Sequence, residues 1–408
     1  MNALKTTAIA ALAGLLCSCS SKIMDDQQYF FLNDSWNSFN YETIHETFGD
    51  QKDERLYVGN AILIYLLAQP IEEVETALAE HFRLSEKYNI PVLVELDPIT
   101  FWDGVPELWN WWDPDAPGYN PDNRENVEWN GWTSDKAVKI GWLNWGRQIR
   151  LKPMANLFSP AYLAVVKERT QCIVDLTARW YESLPKDRKY LLGGIKIIGE
   201  LGLGFNNWYY PDGNSYYDKP ESADPTGGVD IFTMPDRGVG TMIGYAALTY
   251  SGIKTEGEIT PEDIFLLEKK YSALISEMYA GRGIGRERLF SHGGGAGEDL
   301  NSCIHPEVCP SWSFYFKDAL HPSRADAMVY LANSDAPYWG LSEWSIWDNP
   351  DETVWREALD EAFSIPRCRF VSLFNYSTLF NMEKPEVRTA GINAIRELQK
   401  KYRENNTK

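Results

Sequence analysis

The feature that most constrains the fold is a regular alternation between continuous apolar runs and amphipathic segments. Residues 61–67 (AILIYLL) are apolar throughout, and residues 90–96 (IPVLVEL) are apolar except for Glu95. Residues 71–88 between them repeat apolar positions at helical spacing among charges. Runs that are apolar at every position are typical of strands buried on both faces, as in parallel sheets. Strands that alternate with helices in this way predict an α/β fold with a parallel sheet.

Eight strands are predicted in total, and each is followed by a helix or a long loop. This rhythm predicts a (β/α)8 TIM barrel over residues 58–408, with residues 19–57 as a tether and N-terminal segment. Residues 29–56 of that segment are expected to pack across the barrel bottom. Long insertions follow predicted strands two and four, where they would build a cleft on the active-site face. The predicted strands are residues 61–67, 90–96, 148–152, 191–200, 288–292, 311–316, 338–343 and 369–374.

The N-terminus has the pattern of an export signal. Lys5 precedes a short apolar stretch, residues 8–16, which is too short to span a bilayer. The stretch ends in Leu16-Cys17-Ser18-Cys19, which has the form of a bacterial lipobox with small residues before the cysteine. We therefore expect a signal peptide over residues 1–18, a lipid on Cys19, and an exported protein anchored to the bacterial cell envelope. An ordinary secretory signal that contains cysteines is the alternative.

Composition narrows the class of partner. A formal charge of −19 disfavours binding to nucleic acid or acidic polymers through a broad basic face. The sixteen tryptophans include clusters at residues 109–112 and 129–145, which are bounded by Asn, Asp, Gly and Pro. Flat aromatic faces among carboxylates and amides suit sugar rings, so a carbohydrate substrate is expected. The alternative is that these rings pack the long loops together.

Cysteine and histidine spacing gives no sign of a metal or cofactor. Cys303 and Cys309 lie six residues apart around His305, a spacing that allows a small disulfide loop in an exported protein. A zinc site there is disfavoured because only one nitrogen ligand stands nearby. Cys172 and Cys368 lie in apolar runs and are expected to be buried thiols. The chain also has no phosphate-binding Gly-rich loop with its lysine and no Gly-x-Ser-x-Gly elbow.

Two glutamates carry the strongest chemical signal. Glu200 ends predicted strand four, directly after an apolar run, and Glu343 ends predicted strand seven in WGLSEW. A carboxylate at the end of a buried strand is desolvated, which costs stability unless the group is used or paired. The carboxyl ends of barrel strands meet at one face, where glycosidic cleavage needs one protonated and one ionised carboxyl group. The alternative for either glutamate is to cap loop amides or to pair with arginine.

This layout resembles that of clan A glycoside hydrolases, which are retaining (β/α)8 enzymes. The resemblance covers residues from about 60 to the C-terminus and implies that Glu200 is the acid/base and Glu343 the nucleophile. It departs at Gly199, because the clan usually has an asparagine there that holds the substrate 2-hydroxyl group. Asn206 or Asn207, in the following loop, could take over that contact.

Other residues near strand ends are candidates for binding sugar. Tyr315 stands where the clan often has a tyrosine hydrogen-bonded to the nucleophile, and His292, at the end of predicted strand five, either faces the cleft or caps a turn. Trp344 and Trp347 are expected to form a floor for the sugar at the cleavage point. The predicted substrate-binding residues are Asp97, Trp102, Arg150, Asn156, Asn206, Asn207, His292, Tyr315, Trp344 and Trp347.

Two further functions stay open from the sequence. Gly199-Glu200, followed by a Tyr/Pro-rich loop and Tyr217-Asp218-Lys219, is similar to β-amylases, which are inverting glycosidases of similar barrel fold. A surface glycan-binding lipoprotein without catalysis would keep the tryptophans but would not need both glutamates. Their joint presence favours the enzyme.

Overall fold

The computed structural model describes residues 27–52, 54–139, 141–144, 148–200, 203, 207–209, 241–294 and 297–406. The predicted signal segment with Cys19, the residue Asn206, and the side chains of Arg150 and Asn207 lie outside this described part.

Eight parallel strands form the barrel. Strand one pairs with both strand two and strand eight, and backbone bridges between Phe290 and Cys309 and between Gly293 and Trp312 join strand five to strand six. The fold is therefore a (β/α)8 barrel, as the sequence predicts. In barrel order the strands are Gln28–Ser35, Leu56–Tyr65, Val92–Asp97, Leu192–Lys196, Leu289–Phe290, Ser311–Tyr315, Trp339–Ser345 and Cys368–Leu373.

A helix or a 3-10 turn follows every barrel strand along the chain. The α-helices are Tyr41–Phe48, Ile71–Tyr88, Pro106–Trp109, Pro160–Ser183, Tyr245–Ser251, Pro261–Ala280, Phe316–Leu320, Ala327–Ala332, Glu352–Ser364, Tyr376–Phe380 and Pro385–Asn406. The 3-10 turns are Pro121–Glu125, Ser134–Lys136, Lys186–Leu191, Arg286–Arg288, Gly297–Cys303 and Pro322–Arg324. The 3-10 turn Gly297–Cys303 stands where the helix after strand five would be.

Local sequence sets the start of the helix Pro261–Ala280. The Thr260 hydroxyl accepts a hydrogen bond from the Asp263 backbone N–H, and the Asp263 carboxylate accepts one in return from the Thr260 backbone N–H at 2.8 Å. This reciprocal pair satisfies two backbone donors that a helix start otherwise leaves open. Pro261 occupies the first helical position, where its missing N–H costs nothing.

The first barrel strand was not predicted. Gln28–Ser35 pairs in parallel along its whole length with Leu56–Tyr65, so the barrel begins at Gln28 and not at residue 58. The expectation that residues 29–56 pack across the barrel bottom is therefore wrong. The apolar part of this strand is only four residues long, Tyr29 to Leu32, and Asn33 and Asp34 follow it. That pattern is weaker than those of the other buried strands.

The predicted third strand belongs to a different sheet. Gln148–Leu151 pairs antiparallel with Gly141–Asn144 in a four-stranded sheet completed by Asn207–Tyr209 and Thr241–Met242. Its sequence alternates polar and apolar residues, a pattern typical of antiparallel strands with one covered face. The prediction omits the barrel strand Gln28–Ser35 and wrongly includes Gln148–Leu151. Because these two errors cancel in the count, strands four to eight keep their predicted numbers. The first insertion thus follows barrel strand three, and the small sheet joins it to the insertion after strand four.

Aromatic rings fill the lower part of the barrel by lying over glycines of other barrel strands. A Cβ atom built on Gly59 or on Gly193 would come within 2.5 Å of the Phe31 ring, and one on Gly340 within 2.5 Å of the Phe370 ring. These rings are fully buried. Bulky side chains at the glycine positions would force them out, so this close packing closes the barrel below the polar upper face.

The predicted disulfide is absent. Cys303 and Cys309 are both buried free thiols; the Cys303 sulfur lies 3.5 Å from the Ser311 carbonyl, and the Cys309 sulfur lies 3.3 Å from the Arg286 carbonyl. The thiols contact carbonyls on different segments, which is why six-residue spacing does not bring them together. Cys368 is buried as predicted, whereas Cys172 is partly exposed.

Among the described residues, no helix combines the length and the apolarity needed to cross a bilayer.

Candidate active site

Glu200 and Glu343 meet at the upper face of the barrel. Glu343 lies within strand seven, and Glu200 lies four residues beyond the end of strand four. Together with His292 they form a group in which one oxygen or nitrogen atom of each residue lies within 4.8 Å of those of the others. The carboxylates predicted from their positions on strands four and seven are thus direct neighbours.

Strand six supplies the hydroxyl groups that contact the two carboxylates. The Tyr315 hydroxyl donates a hydrogen bond to Glu343 Oε2. Ser313 Oγ lies 3.1 Å from Glu200 Oε1 and 3.4 Å from Glu343 Oε2, so its single proton can bind either one. Ser313 and Tyr315 point to the same side because successive residues of a strand alternate between faces. Tyr315 was predicted here; Ser313 was not, although its two-residue spacing from Tyr315 is a signal that could have identified it.

The two carboxyl groups share their protons as a pair. Burial, and next the charge of Glu200, raise the pKa of Glu343 to about 7. Near neutral pH the pair therefore tends to hold one proton, as closely spaced carboxylates do. Lys196 and the Tyr315 hydroxyl both act to lower the pKa of Glu343. These two groups oppose the upward shift and favour the ionised form of Glu343.

Lys196 belongs to a buried polar layer inside the barrel. Its ammonium lies 2.7 Å from Glu95 Oε2 of strand three, and both side chains are almost fully buried. Asn33 donates to the same carboxylate at 2.8 Å, and Ser372 lies 3.4 Å from its other oxygen. Burial alone would lower the pKa of Lys196, but the charges of Glu95 and Glu343 raise it, so the cation is retained. Sequence reasoning missed this layer, although Glu95 and Lys196 each interrupt an apolar strand.

His292 is a buried, neutral member of the site. Burial, and next the charge of Lys196, lower the pKa of His292 well below its usual value. Its Nε2 atom lies 2.8 Å from Ser313 Oγ and 3.9 Å from Glu200 Oε1. With the ring proton on Nε2, His292 donates to Ser313, and Ser313 can then donate to Glu200. His292 therefore lies at the upper face of the barrel, but only 3% of the residue is exposed, and its contact with Glu200 runs through Ser313.

Asp97 explains why residue 199 is glycine. The Asp97 side chain is buried, and its Oδ1 atom accepts hydrogen bonds from the backbone N–H groups of Ile99 and Thr100, both at 2.9 Å. A Cβ atom on Gly199 would lie 2.5 Å from both Cγ and Oδ2 of Asp97. An asparagine at position 199 would collide with this carboxylate. The departure from the clan A pattern therefore has a steric cause.

Three predicted binding residues do not face the cleft. Trp102 is buried and donates to the Pro153 carbonyl, and Trp344 is buried and donates to the Ala319 carbonyl. Asn156 is buried; its side-chain amide donates a hydrogen bond to the Glu125 carbonyl and accepts one from the Phe158 backbone N–H. These side chains are structural. Trp344 was misassigned because it neighbours Glu343 in sequence, and neighbours in a strand point to opposite faces.

Trp347 is the predicted tryptophan that does lie open beside the site. It is 44% exposed, and its ring stacks on Tyr315 with 5.7 Å between centroids. The side chains of Trp142 and Trp145 lie outside the described residues. The described insertion tryptophans instead contact one another or nearby tyrosines: Trp109 lies 5.8 Å from Trp112, and Trp132 lies 4.8 Å from Tyr245. Packing of the long loops therefore accounts for these rings.

Among the described residues, the one set of histidine, cysteine and acidic side chains close enough to share a metal ion is the site group itself, Glu200, His292 and Glu343. One atom of each residue, His292 Nε2, Glu200 Oε1 and Glu343 Oε2, takes part in the hydrogen bonds with Ser313 and Tyr315. Those hydrogen bonds account for the cluster, and we assign it no metal.

Because residue 294 is a glycine and has no side chain, the Glu200 carboxyl group can lie directly against its backbone. A Cβ atom on Gly294 would lie 2.1 Å from Glu200 Oε1 and 2.4 Å from its Cδ. The atoms in conflict are the flexible end of a side chain, so Gly294→Ala should move that carboxyl group rather than unfold the barrel. We expect an activity loss of about 100-fold, the scale associated with a misplacement of about 1 Å. The melting temperature should change little.

The measurement is kcat/KM together with thermal unfolding for Gly294→Ala and for the control Gly281→Ala. Gly281 ends the helix Pro261–Ala280 at φ −60, and its nearest contact to an added Cβ is 3.3 Å. The control should retain full activity. An active Gly294→Ala enzyme would contradict the position given to Glu200.

No protein-family model and no curated protein matches this chain. Among solved structures, GH26A from Muricauda sp. is similar, with 11% identity over 94% of this chain and 92% of that one and a TM-score of 0.42. The catalytic domain of β-amylase from Paenibacillus polymyxa has 8% identity over 92% and 99%, with a TM-score of 0.48. XEG5A, a xyloglucan-specific endo-β-1,4-glucanase from a metagenomic library, has 9% identity over 93% and 99%, with a TM-score of 0.42. At such low similarity, function has to be inferred from the side chains of the site.

Proposed function

We propose that this protein is a glycoside hydrolase that cleaves O-glycosidic bonds of an oligo- or polysaccharide, with Glu200 as acid/base and Glu343 as nucleophile. The observation that carries the proposal is the unequal surroundings of two adjacent carboxyl groups. Glu343 receives the Tyr315 hydroxyl and the field of Lys196, both of which favour its ionised form. Glu200 accepts a hydrogen bond from the Ser313 hydroxyl and lies against Gly294. Glycosidic cleavage requires such a division into an acid and an anion.

The proposed reaction proceeds in two displacements. The Glu343 carboxylate attacks the anomeric carbon while Glu200 gives its proton to the departing glycosidic oxygen, so one C–O bond forms as another breaks. Water then attacks the same carbon, Glu200 takes the water proton, and Glu343 leaves as a carboxylate. The net change is the addition of one water molecule across the glycosidic bond. Tyr315 positions the nucleophile, because its hydroxyl donates a hydrogen bond to Glu343 Oε2.

The spacing of the carboxyl groups supports retention over inversion. Oxygen atoms of Glu200 and Glu343 lie within 4.8 Å of each other. Retaining pairs stand roughly 5–5.5 Å apart, whereas inverting pairs leave roughly 6.5–9.5 Å for a water molecule.

The experiment is a hydrolysis screen of the purified protein on a panel of α- and β-linked oligosaccharides and polysaccharides, with product sizes and anomers determined. We expect release of reducing ends from at least one glycan, and the first-formed product should keep the substrate's anomeric configuration. A product of inverted configuration would still show that the protein is a glycosidase, but it would rule out Glu343 as the nucleophile. Glycan binding without any cleavage would favour the non-catalytic binding protein.

For location, we propose that Cys19 carries a lipid that anchors the enzyme to the cell envelope. Cys19 has a small residue before it and Leu16 three positions back, the order that a lipobox requires. Replacing Cys19 with alanine should move the protein from the membrane fraction to the soluble fraction, and Cys17→Ala should leave it on the membrane. The reverse pattern would place the cleavage site at Cys17.

A further inference from the structure

Two exposed aromatic side chains lie next to each other outside the catalytic carboxylates. Phe316 is 67% exposed and Trp347 is 44% exposed, and their ring centroids lie 5.8 Å apart at an angle of 46°. Trp347 rests on Tyr315, which donates to Glu343. A continuous path of rings therefore leads from the nucleophile toward solvent. Six other large hydrophobic side chains are exposed among the described residues.

The backbone at both positions is strained. Phe316 has φ +50 and Trp347 has φ +54, in the left-handed region that bulky residues rarely enter. The other non-glycine residues in this region among the described ones are Asn89 and Arg367. Asparagine tolerates the conformation well, but aromatic residues do not. Strain of this kind persists where the surroundings impose it, and it is concentrated at functional sites.

Packing does not account for these conformations, because strain that served the core would be expected to bury the rings. Here the strained backbone places one ring largely in water and leaves the other nearly half exposed, and the two rings lie beside each other. Exposing apolar rings costs free energy in the unbound protein, and a ligand that covers them recovers it. The adjacent carboxylates point to a ligand with both hydroxyl groups and apolar C–H faces.

We infer that Phe316 and Trp347 form a binding subsite for a pyranose ring one or more sugars away from the cleavage point. This inference rests on the proposed function for its ligand class and deepens it, since a subsite beyond the reacting sugar selects chains over small glycosides. The solvent side of Trp347, opposite the face on Tyr315, and the exposed Phe316 ring offer apolar surfaces to the C–H groups of one sugar. No hydrogen bond is needed, so the subsite recognises ring shape more than hydroxyl pattern.

The test uses asparagine, which removes each ring while fitting the left-handed backbone. The variants are Phe316→Asn and Trp347→Asn, with Val329→Ala as control, since Val329 is 65% exposed in the helix Ala327–Ala332. Dissociation constants for cellohexaose, mannohexaose and maltohexaose are measured by calorimetry on the full chain, with Glu343→Gln present in every protein so that no sugar is cleaved during the titration. We expect at least one hexasaccharide to bind, and its dissociation constant to rise about 10-fold in each asparagine variant and not in the control.

Thermal unfolding separates a binding role from a structural one. If the strain serves binding, Phe316→Asn should leave the melting temperature unchanged or raise it, because the strain is relieved. A lower melting temperature with an unchanged dissociation constant would overturn the inference, as would no binding of any of the three hexasaccharides. If Phe316→Asn weakened sugar binding but the unmodified protein cleaved no glycan, the subsite would stand and the glycosidase proposal would be rejected. The two proposals can therefore fail separately.

Discussion

Glu343→Gln is expected to reduce kcat by on the order of 10³-fold or more, because no other group can form the covalent bond to the anomeric carbon. Glutamine keeps the shape of glutamate and can still accept the hydrogen bond from Tyr315. The fold and the sugar-binding surface should therefore survive. The measurement is kcat on the substrate identified by the hydrolysis screen, with the dissociation constant of the same sugar measured in parallel.

The matched control for this variant is Glu307→Gln, another glutamate that contacts a neighbouring polar side chain, in this case His305 at 3.0 Å. It should leave kcat unchanged. If Glu343→Gln kept its turnover, Glu343 could not be the nucleophile. If it lost binding as well as turnover, the variant would report damage to the site rather than loss of the nucleophile.

Glu200→Gln is expected to reduce kcat/KM by about 10²- to 10⁴-fold on substrates with poor leaving groups, the range for loss of a general acid. On an aryl glycoside with a good leaving group the loss should be far smaller, since a phenolate departs without a proton. The ratio kcat/KM is the appropriate quantity because it reports the first displacement, in which the acid acts. The measurement is a series of aryl glycosides with leaving groups of increasing pKa.

The slope of log(kcat/KM) against leaving-group pKa should steepen in Glu200→Gln relative to the unmodified enzyme. Ser313→Ala is a useful comparison, because it removes the hydroxyl that lies 3.1 Å from Glu200 without removing the acid. Its slope should stay close to that of the unmodified enzyme. An equal loss on every leaving group in Glu200→Gln would contradict the acid role and indicate an effect on folding or on sugar binding.

The sequence could predict that Glu200 and Glu343 lie together because the relevant signal is local. Each glutamate follows an apolar run, and the barrel brings the ends of all such runs to one face. The same reasoning misread Gln148–Leu151, where alternation of polar and apolar residues marked an antiparallel strand outside the barrel. It also missed Gln28–Ser35, whose apolar part is short. The two errors compensated in the strand count, so strands four and seven kept their numbers.

The supporting groups could not be predicted from sequence, because they depend on contacts between distant strands. Lys196 and Glu95 lie about a hundred residues apart in the chain and meet only through strand pairing. The collision of Asp97 with a side chain at position 199 is equally invisible without coordinates. Trp344 shows the opposite error. Because it follows Glu343 in the sequence, it was expected in the cleft, but neighbouring residues of a strand point to opposite faces, and its ring is buried against Phe30 and Trp355.

The most direct test of the central claim is the search for a sugar covalently bound to Glu343. The Glu200→Gln variant, in which the second displacement lacks its base, is quenched in acid during turnover of an activated aryl glycoside, digested, and measured by peptide mass spectrometry. We predict a peptide containing Glu343 whose mass is raised by one glycosyl unit, absent from Glu343→Gln treated in the same way. A quenched enzyme without any adduct, together with a product of inverted anomeric configuration, would contradict the account.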